Sequence, residues 1–147
     1  MGSTKTTLSE KIQAFGPVKS LGMLRVAKAR YNFAVDGGAQ GAIIPKTTTL
    51  LPANTVIVGA TINSTTAFLS GGSATLSVGT SAGSSATSIL GATAKASLSA
   101  NAVLNGVPVF ATPVKLTAKG YLNVTIGTAD ATAGIVEVTV YYYVANV

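Results

Sequence analysis

The last quarter of the chain, from Lys119 to Val147, alternates apolar and polar residues with a period of two. A period of two places successive side chains on opposite faces of a β-strand. In the first run Leu122, Val124 and Ile126 alternate with Tyr121, Asn123, Thr125 and Gly127. A connector rich in Ala, Thr, Asp and Gly separates this run from a second one, Ile135 to Val144. The segment therefore predicts two strands, which we interpret as a β-hairpin.

The second of these runs is apolar on one face and partly apolar on the other. One row contains Val136, Val138, Val140, Tyr142 and Val144, and the other contains Ile135, Glu137, Thr139, Tyr141 and Tyr143. Strands with β-branched or aromatic residues on both faces are typical of sheet centres and of contacts with another subunit. We expect Tyr141 and Tyr143 either to form a self-association face or to cover the protein's own N-terminal arm, because Tyr offers a large contact area with a polar tip.

The remainder of the chain predicts five or six further short strands separated by turn signals, with almost no helix. Val26 to Val35 predicts a strand with Ala27, Ala29, Tyr31, Phe33 and Val35 inward and with Lys28, Arg30 and Asn32 outward. Asn54 to Thr65 predicts a second, with Val56, Val58, Ala60 and Ile62 inward and Ile57 outward. The pattern from Gly91 to Asn105 is ambiguous between helix and loop. This arrangement predicts an all-β fold, an antiparallel β-sandwich of the jelly-roll type.

The first 24 residues lack the clear two-residue alternation that follows them. We therefore divide the chain into an N-terminal arm (1–24) and a β-sandwich domain (25–147). Six of the ten basic residues lie in the arm and the first strand: Lys5, Lys11, Lys19, Arg25, Lys28 and Arg30. The functional interpretation is attraction to an acidic partner, and the alternative is a solvated face that aids solubility. No aromatic interleaving or known binding module accompanies these charges, so we expect no direct binding to nucleic acid.

Composition argues against catalysis and favours assembly. The chain has no Cys and no His, which removes the thiolate nucleophile and the commonest general base and metal ligand. Its four acidic residues, Glu10, Asp36, Asp130 and Glu137, are scattered. We therefore predict no enzyme activity, no catalytic residues, no cofactor and no metal. Charged residues form only 10% of the chain, which suits a protein packed against others better than a free monomer.

The sequence predicts no association with a membrane. No run of about 18 apolar residues occurs. Residues 1–11 are polar and lack the apolar centre of a signal peptide. We expect synthesis in the cytoplasm.

Three segments carry a resemblance to a known family: LPANTVIVGATI (51–62), SATLSVGT (73–80) and GYLNVTIGTADATAGIVEVTVYYYVA (120–145). Together they are similar to the small jelly-roll decoration (cement) proteins on the heads of tailed bacteriophages, such as the cement protein of the short-tailed Bordetella phage. The resemblance implies a structural virion protein on the capsid surface, made in the host cytoplasm. It further implies binding to the major capsid protein, as a homo-oligomer (dimer or trimer), which stabilises the packed head.

Two other functions remain open on the sequence alone. One is a jelly-roll capsid protein that assembles by itself, with its basic arm facing the genome. The other is a tail or receptor-binding module, for which clustered aromatic, acidic or amide side chains on a loop would be expected.

Overall fold

The computed structural model describes residues 24–82, 87–107 and 113–145. The strands are β1 (Arg25–Asn32), β2 (Gly41–Ile43), β3 (Thr47–Thr48), β4 (Leu50–Leu51), β5 (Thr55–Leu69), β6 (Thr75–Thr80), β7 (Leu90–Ala94), β8 (Ala102–Asn105), β9 (Val114–Lys115), β10 (Gly120–Gly127) and β11 (Ala133–Val144). The described helical segments are α1 (Phe33–Asp36) and a single 3₁₀ turn (Lys95–Ser97). Apart from Leu24, the predicted arm lies outside the described residues.

The strands form two sheets in which the described pairs are all antiparallel. The first sheet has the order β3-β1-β11-β5-β8, with β9 also paired to β5. The second has the order β2-β10-β6-β7, with β4 also paired to β10. When the two-residue strands β3, β4 and β9 are set aside, eight strands remain. Their order is first-eighth-third-sixth in one sheet and second-seventh-fourth-fifth in the other, which is the jelly-roll arrangement of two Greek keys.

The core lies between the two sheets, and the alternating patterns supply it. The predicted inward rows Leu122, Val124 and Ile126 of β10 and Val136, Val138 and Val140 of β11 are buried. Ala27, Ala29 and Tyr31 of β1 and Leu76 and Val78 of β6 complete much of the same cluster. β11 pairs with β1 on one side and β5 on the other, so the prediction that it is a central strand is confirmed.

The predicted hairpin between the last two long strands is wrong. β10 pairs with β2, β4 and β6 in the second sheet, whereas β11 pairs with β1 and β5 in the first. The connector, residues 128–132, therefore crosses from one sheet to the other. Strand periodicity shows which residues are buried, but it does not show which strand supplies the hydrogen-bonding partner.

The first strand ends earlier than its alternation predicts. β1 stops at Asn32, and Phe33 to Asp36 form α1, so Val35 is exposed. The Asn32 side chain caps the turn by accepting from the Ala34 N–H at 3.1 Å, and an Asp36 carboxylate oxygen accepts from the Asn32 N–H at 2.8 Å. These side-chain hydrogen bonds compete with continuation of the strand.

The same corner holds the most buried tyrosine. The Tyr31 hydroxyl donates to the Gly37 carbonyl at 2.8 Å, and its ring meets Phe68 edge-on. Burial, assisted by the nearby Asp36 charge, raises the pKa of Tyr31 to about 12. The second Asp36 oxygen accepts from the Lys46 N–H at 2.9 Å, so one carboxylate ties the end of β1 to the segment that leads into β3.

A β-bulge reverses the expected faces at the start of β5. Tyr141 is opposite Gly59 and Tyr142 is opposite Ile57, so β5 carries one extra residue, Val58, at this point. Ile57 is consequently part of the core cluster, contrary to the outward position predicted for it. Val56 lies on the other side, opposite Tyr143, where an inward position was predicted.

The segment that was ambiguous in sequence, Gly91 to Asn105, contains all of β7 except its first residue, together with the 3₁₀ turn and β8.

Candidate protein-contact surfaces

Sheet register brings the charged outward side chains of β1 next to the outward row of β11. Lys28 is opposite Thr139, and Arg30 is opposite Glu137. We call the outer side of the first sheet the charged face. It is defined by the outward residues Val26, Lys28, Arg30, Ile135, Glu137, Thr139, Tyr141 and Tyr143.

A groove of about 190 Å³ runs along this face where β1, β3 and β11 meet. Its lining residues are Lys28, Ala29, Arg30, Thr47, Glu137, Val138 and Thr139. The Arg30 Nε and Glu137 Oε1 atoms are 3.5 Å apart, with both side chains 45% exposed. An ion pair this exposed adds little stability, because water screens it. Arg30 and Glu137 therefore keep partly exposed charged groups at the groove, beside Lys28.

The structure brings together only part of the predicted basic set. Lys28 and Arg30 share the charged face, while Arg25 is opposite Tyr142 and so occupies an inward register position at the end of the sheet, where it is exposed. Lys5, Lys11 and Lys19 lie outside the described residues.

The two tyrosines proposed for self-association lie at one end of the charged face. Tyr141 is opposite Val26 of β1 and Gly59 of β5, and Tyr143 is opposite Val56. Both tyrosines are partly buried. Val26 is 53% exposed, so this end of the face is apolar and only partly covered.

The second sheet presents a different surface, which sequence analysis did not identify. Its five described strands contain no charged residue, whereas those of the first sheet contain Arg25, Lys28, Arg30, Lys115 and Glu137. We call its outer side the uncharged face. It is defined by the outward row Ala42, Leu50, Ser77, Tyr121, Asn123 and Thr125, of which Ser77 and Asn123 are buried.

The uncharged face combines exposed apolar side chains with polar atoms that lack partners. Leu50 and Tyr121 are directly opposite each other across β4 and β10, and they are 45% and 38% exposed. The Asn123 Oδ1 and Thr125 Oγ1 atoms, in the next two positions of the row, are buried without a hydrogen-bond partner. One sequence feature could have indicated this surface. The row Tyr121, Asn123 and Thr125, which alternates with the core row of β10, contains no charged residue.

The described residues contain no cluster of three or more His, Cys, Asp or Glu side chains able to hold a metal ion. Asp36 and Asp130 each accept backbone hydrogen bonds, and Glu137 pairs with Arg30. A search of the described part of the chain for a helix that could cross a membrane finds no candidate.

Three solved structures resemble the chain over most of its length. A chain from the acidic stable capsid structure of Helicobacter pylori bacteriophage KHP30 matches with a TM-score of 0.60 at 13% identity, covering 84% of this chain and 90% of its own. A chain from the cyanophage Pam1 capsid asymmetric unit matches at 0.57 and 19% identity, covering 83% and 85%. A chain from the capsid of Ralstonia phage GP4 matches at 0.58 and 17% identity, covering 84% and 86%.

This chain shares their fold. No protein family model and no curated protein sequence matches it. The structural comparison thus supports the all-β sandwich assignment.

Proposed function

We propose that this protein is a structural component of a bacteriophage head, and more specifically a decoration (cement) protein that binds the major capsid protein on the capsid surface. The observation that carries the proposal is the match, over more than four fifths of both chains, to chains from three phage capsid structures. The low charge content and the scarcity of catalytic side chains point the same way.

Such a protein works by binding and not by chemistry. A molecule that binds the assembled shell more tightly than free capsid subunits shifts the equilibrium toward the shell. Many symmetric copies add avidity. The sandwich supplies a stiff scaffold, because its two sheets share one continuous core.

The charged face is the surface that we assign to the shell. The charged face carries Lys28 and Arg30 against Glu137 alone, and Arg25 and Lys115 add positive charge in other positions of the same sheet. With Lys5, Lys11 and Lys19 of the arm, these residues would attract an acidic surface of the major capsid protein and orient the approach.

The uncharged face is the surface that we assign to contact between copies in a dimer or trimer. Identical molecules that each carry a net charge of +6 repel when they meet through a basic surface. A face without charge avoids this repulsion, and depletion of charged residues is the compositional mark of interface centres. Self-association through Tyr141 and Tyr143 is the competing hypothesis.

Binding to heads tests the main proposal. Phage heads that lack this protein should bind it saturably in a sedimentation assay, and the purified protein should not retard nucleic acid at physiological salt. Closed shells formed by the purified protein alone would favour the self-assembling capsid protein instead. Binding to nucleic acid without binding to heads would contradict the proposal.

A matched pair of leucines tests the contact between copies. Leu50 lies on the uncharged face, and Leu69 lies at the end of β5 in the other sheet; they are 45% and 51% exposed. We expect Leu50→Asp to shift the protein toward the monomer in analytical ultracentrifugation and Leu69→Asp to leave the oligomer intact. The reverse result, or dissociation by Tyr141→Asp alone, would move the contact to the first sheet.

A further inference from the structure

The strand β8 is an edge strand that lacks the usual protection against pairing with another chain. β8, with the sequence AVLN, is the last strand of the first sheet, and its residues pair with β5 in unbroken register. It contains no Lys, no Pro and no bulge, which are features with which natural sheets protect their edges. Its Val103 side chain is 64% exposed, more than any other large hydrophobic side chain in the described part of the chain.

The other edge strands of the described sandwich each carry a protective feature. β2, β3, β4 and β9 have only two or three residues. In addition, β9 includes Lys115, and Lys46 directly precedes β3. β7 is interrupted by a register shift in its pairing with β6. The contrast identifies β8 as the edge that is open to a further strand.

The backbone groups of two β8 residues point toward this open edge. Directly after the strand, the Gly106 N–H donates to the Ala60 carbonyl of β5 at 2.9 Å. Along an antiparallel pair, residues whose backbone groups face the partner strand alternate with residues whose backbone groups face away. Counting back from Gly106, the N–H and C=O groups of Val103 and Asn105 face away from β5, on the side where no described strand lies.

We propose that β8 pairs antiparallel with β8 of a second copy, which joins the first sheets of the two molecules into one continuous sheet. An antiparallel pair of identical strands is self-complementary about a twofold axis. With Leu104 at the axis, Val103 of each copy lies opposite Asn105 of the other. In each of these pairs the two residues exchange their outward N–H···O=C bonds, so the free backbone groups of the edge are satisfied.

A second copy suits this edge in charge and in shape. β8 and its neighbour β5 contain no charged residue, so two molecules of net charge +6 meet through an uncharged part of the first sheet. β7 lies at the same side of the sandwich, because a Cβ at Gly106 would meet the carbonyl oxygen of Ile89, just before β7. The exposed residues of β7 include Gly91 and Ala92, whose small size lets the two sandwiches approach.

This contact is distinct from the contact between copies proposed for the uncharged face, and it does not depend on the protein's role in a phage head. Pairing at an edge leaves the outer faces of both sheets free. It is therefore compatible with attachment to a shell through the charged face.

Disulfide cross-linking tests both the pairing and its register, because the chain contains no Cys. In the proposed pair, Val103→Cys of one copy and Asn105→Cys of the other have Cα atoms about 5.5 Å apart, within the range of a disulfide. Two copies of Val103→Cys have them about 8 Å apart, beyond that range. Under mild oxidation, we expect a mixture of the two variants to form the mixed dimer about fivefold or more faster than either variant forms its own dimer. A mixed dimer that forms no faster would overturn the proposal.

Val26→Cys supplies the control for random collision. Val26 is 53% exposed and lies on β1, two strands beyond β5 in the first sheet. Mixed with Asn105→Cys, it should link only at the background rate. Equal rates for Val26→Cys and Val103→Cys, with both variants folded, would contradict the assigned edge.

A charge placed on the edge tests the contact without a cross-link. Val103→Lys and Val26→Lys are compared in the Leu50→Asp background, which removes the contact proposed for the uncharged face. In analytical ultracentrifugation, we expect Val103→Lys to raise the Kd of the dimer about tenfold or more, because Lys protects an edge strand, and Val26→Lys to change it little. Equal effects, or a Leu50→Asp protein that stays monomeric up to its solubility limit, would overturn the proposal.

Hydrogen exchange distinguishes a second copy from a strand of the shell. The amides of Val103 and Asn105 should be protected in the concentrated protein alone and exposed on dilution. Protection that appears only when the protein is bound to heads would assign the edge to an extended segment of the shell, and the proposal would fail.

Discussion

Asp36 illustrates how one exposed corner depends on a single side chain. Its two carboxylate oxygens accept hydrogen bonds from the backbone N–H groups of Asn32 and Lys46. Those groups belong to the end of β1 and to the segment before β3. One charged acceptor therefore stops the first strand and fixes the return of the chain.

Replacing Asp36 tests this role. We expect Asp36→Ala to lower the free energy of unfolding by about 2 kcal/mol, because hydrogen bonds to a charged acceptor are the strong ones. The matched control is Glu137→Ala, which removes an exposed ion pair worth at most about 1 kcal/mol. Urea denaturation measures both. Equal losses for the two variants would contradict a special role for Asp36.

The raised pKa of Tyr31 predicts how the free energy of unfolding changes at alkaline pH. The pKa of its phenol is raised by burial and by Asp36 to about 12 in the folded protein, against about 10 in an unfolded chain. The stabilisation of the neutral phenol is thus fully present below pH 10 and is lost as pH rises through 12.

Urea denaturation between pH 9 and pH 12 checks this dependence. The wild-type protein should lose stability more steeply over that range than Tyr31→Phe, which has no ionisable group at this site. Because Tyr31→Phe also removes the hydrogen bond to Gly37, its stability at pH 8 should be lower. Parallel pH profiles for the two proteins would exclude Tyr31 as the responsible group.

At the scale of elements, the connector between β10 and β11 carries the chain from one sheet to the other. Four hydrogen bonds hold this connector. Two are made by its backbone, because the Ala131 N–H donates to the Gly38 carbonyl and the Thr132 N–H donates to the Leu69 carbonyl. Two involve Asp130, whose backbone carbonyl accepts from the Ser70 hydroxyl and whose carboxylate accepts from the Gln40 N–H. The crossing is therefore supported by the segments that follow α1 and β5.

Gly38 is the tightest point of that crossing. A Cβ at this position would meet the Ala131 carbonyl oxygen and the Phe33 ring, whereas a Cβ at Gly71 would meet no atom within 4 Å. We expect Gly38→Ala to destabilise the fold by about 1–3 kcal/mol through overpacking, and Gly71→Ala to have little effect. Thermal denaturation of both variants checks the contrast, and an unchanged melting temperature for Gly38→Ala would show that the crossing can move apart.

At the scale of the whole molecule, the sandwich separates charge by sheet. All the charged residues of the described strands are in the first sheet, and the uncharged face is on the opposite side of the core. A molecule of this kind can present one chemistry to a shell and another to its own copies.

Charge reversal tests the orientation on the shell. Lys28→Glu alters the groove on the charged face, while Lys119→Glu makes the same change of charge beside β10 of the second sheet. We expect Lys28→Glu to weaken attachment to heads about fivefold or more at low salt and Lys119→Glu to weaken it less, with the difference shrinking as salt screens the charges. Sedimentation of heads with bound protein, at two salt concentrations, measures this. A larger effect of Lys119→Glu would place the second sheet against the shell.

The sequence by itself determined the fold class and most of the core. Alternation with a period of two identified Leu122, Val124 and Ile126 and the row from Val136 to Val140 as buried. This was possible because neighbouring residues of a strand point to opposite faces, so the apolar face is visible in the local sequence. The same pattern identified β11 as a central strand.

Only the tertiary structure decided which strands pair, and therefore which side chains meet. β10 and β11 lie in different sheets despite being adjacent in sequence, the bulge at Val58 turns Ile57 inward, and Asp36 ends β1 at Asn32. The grouping of Lys28 and Arg30 with Thr139 and Glu137, and the opposition of Leu50 and Tyr121, follow from those pairings. Register between distant strands is set by the packing of the whole core, which no local pattern contains.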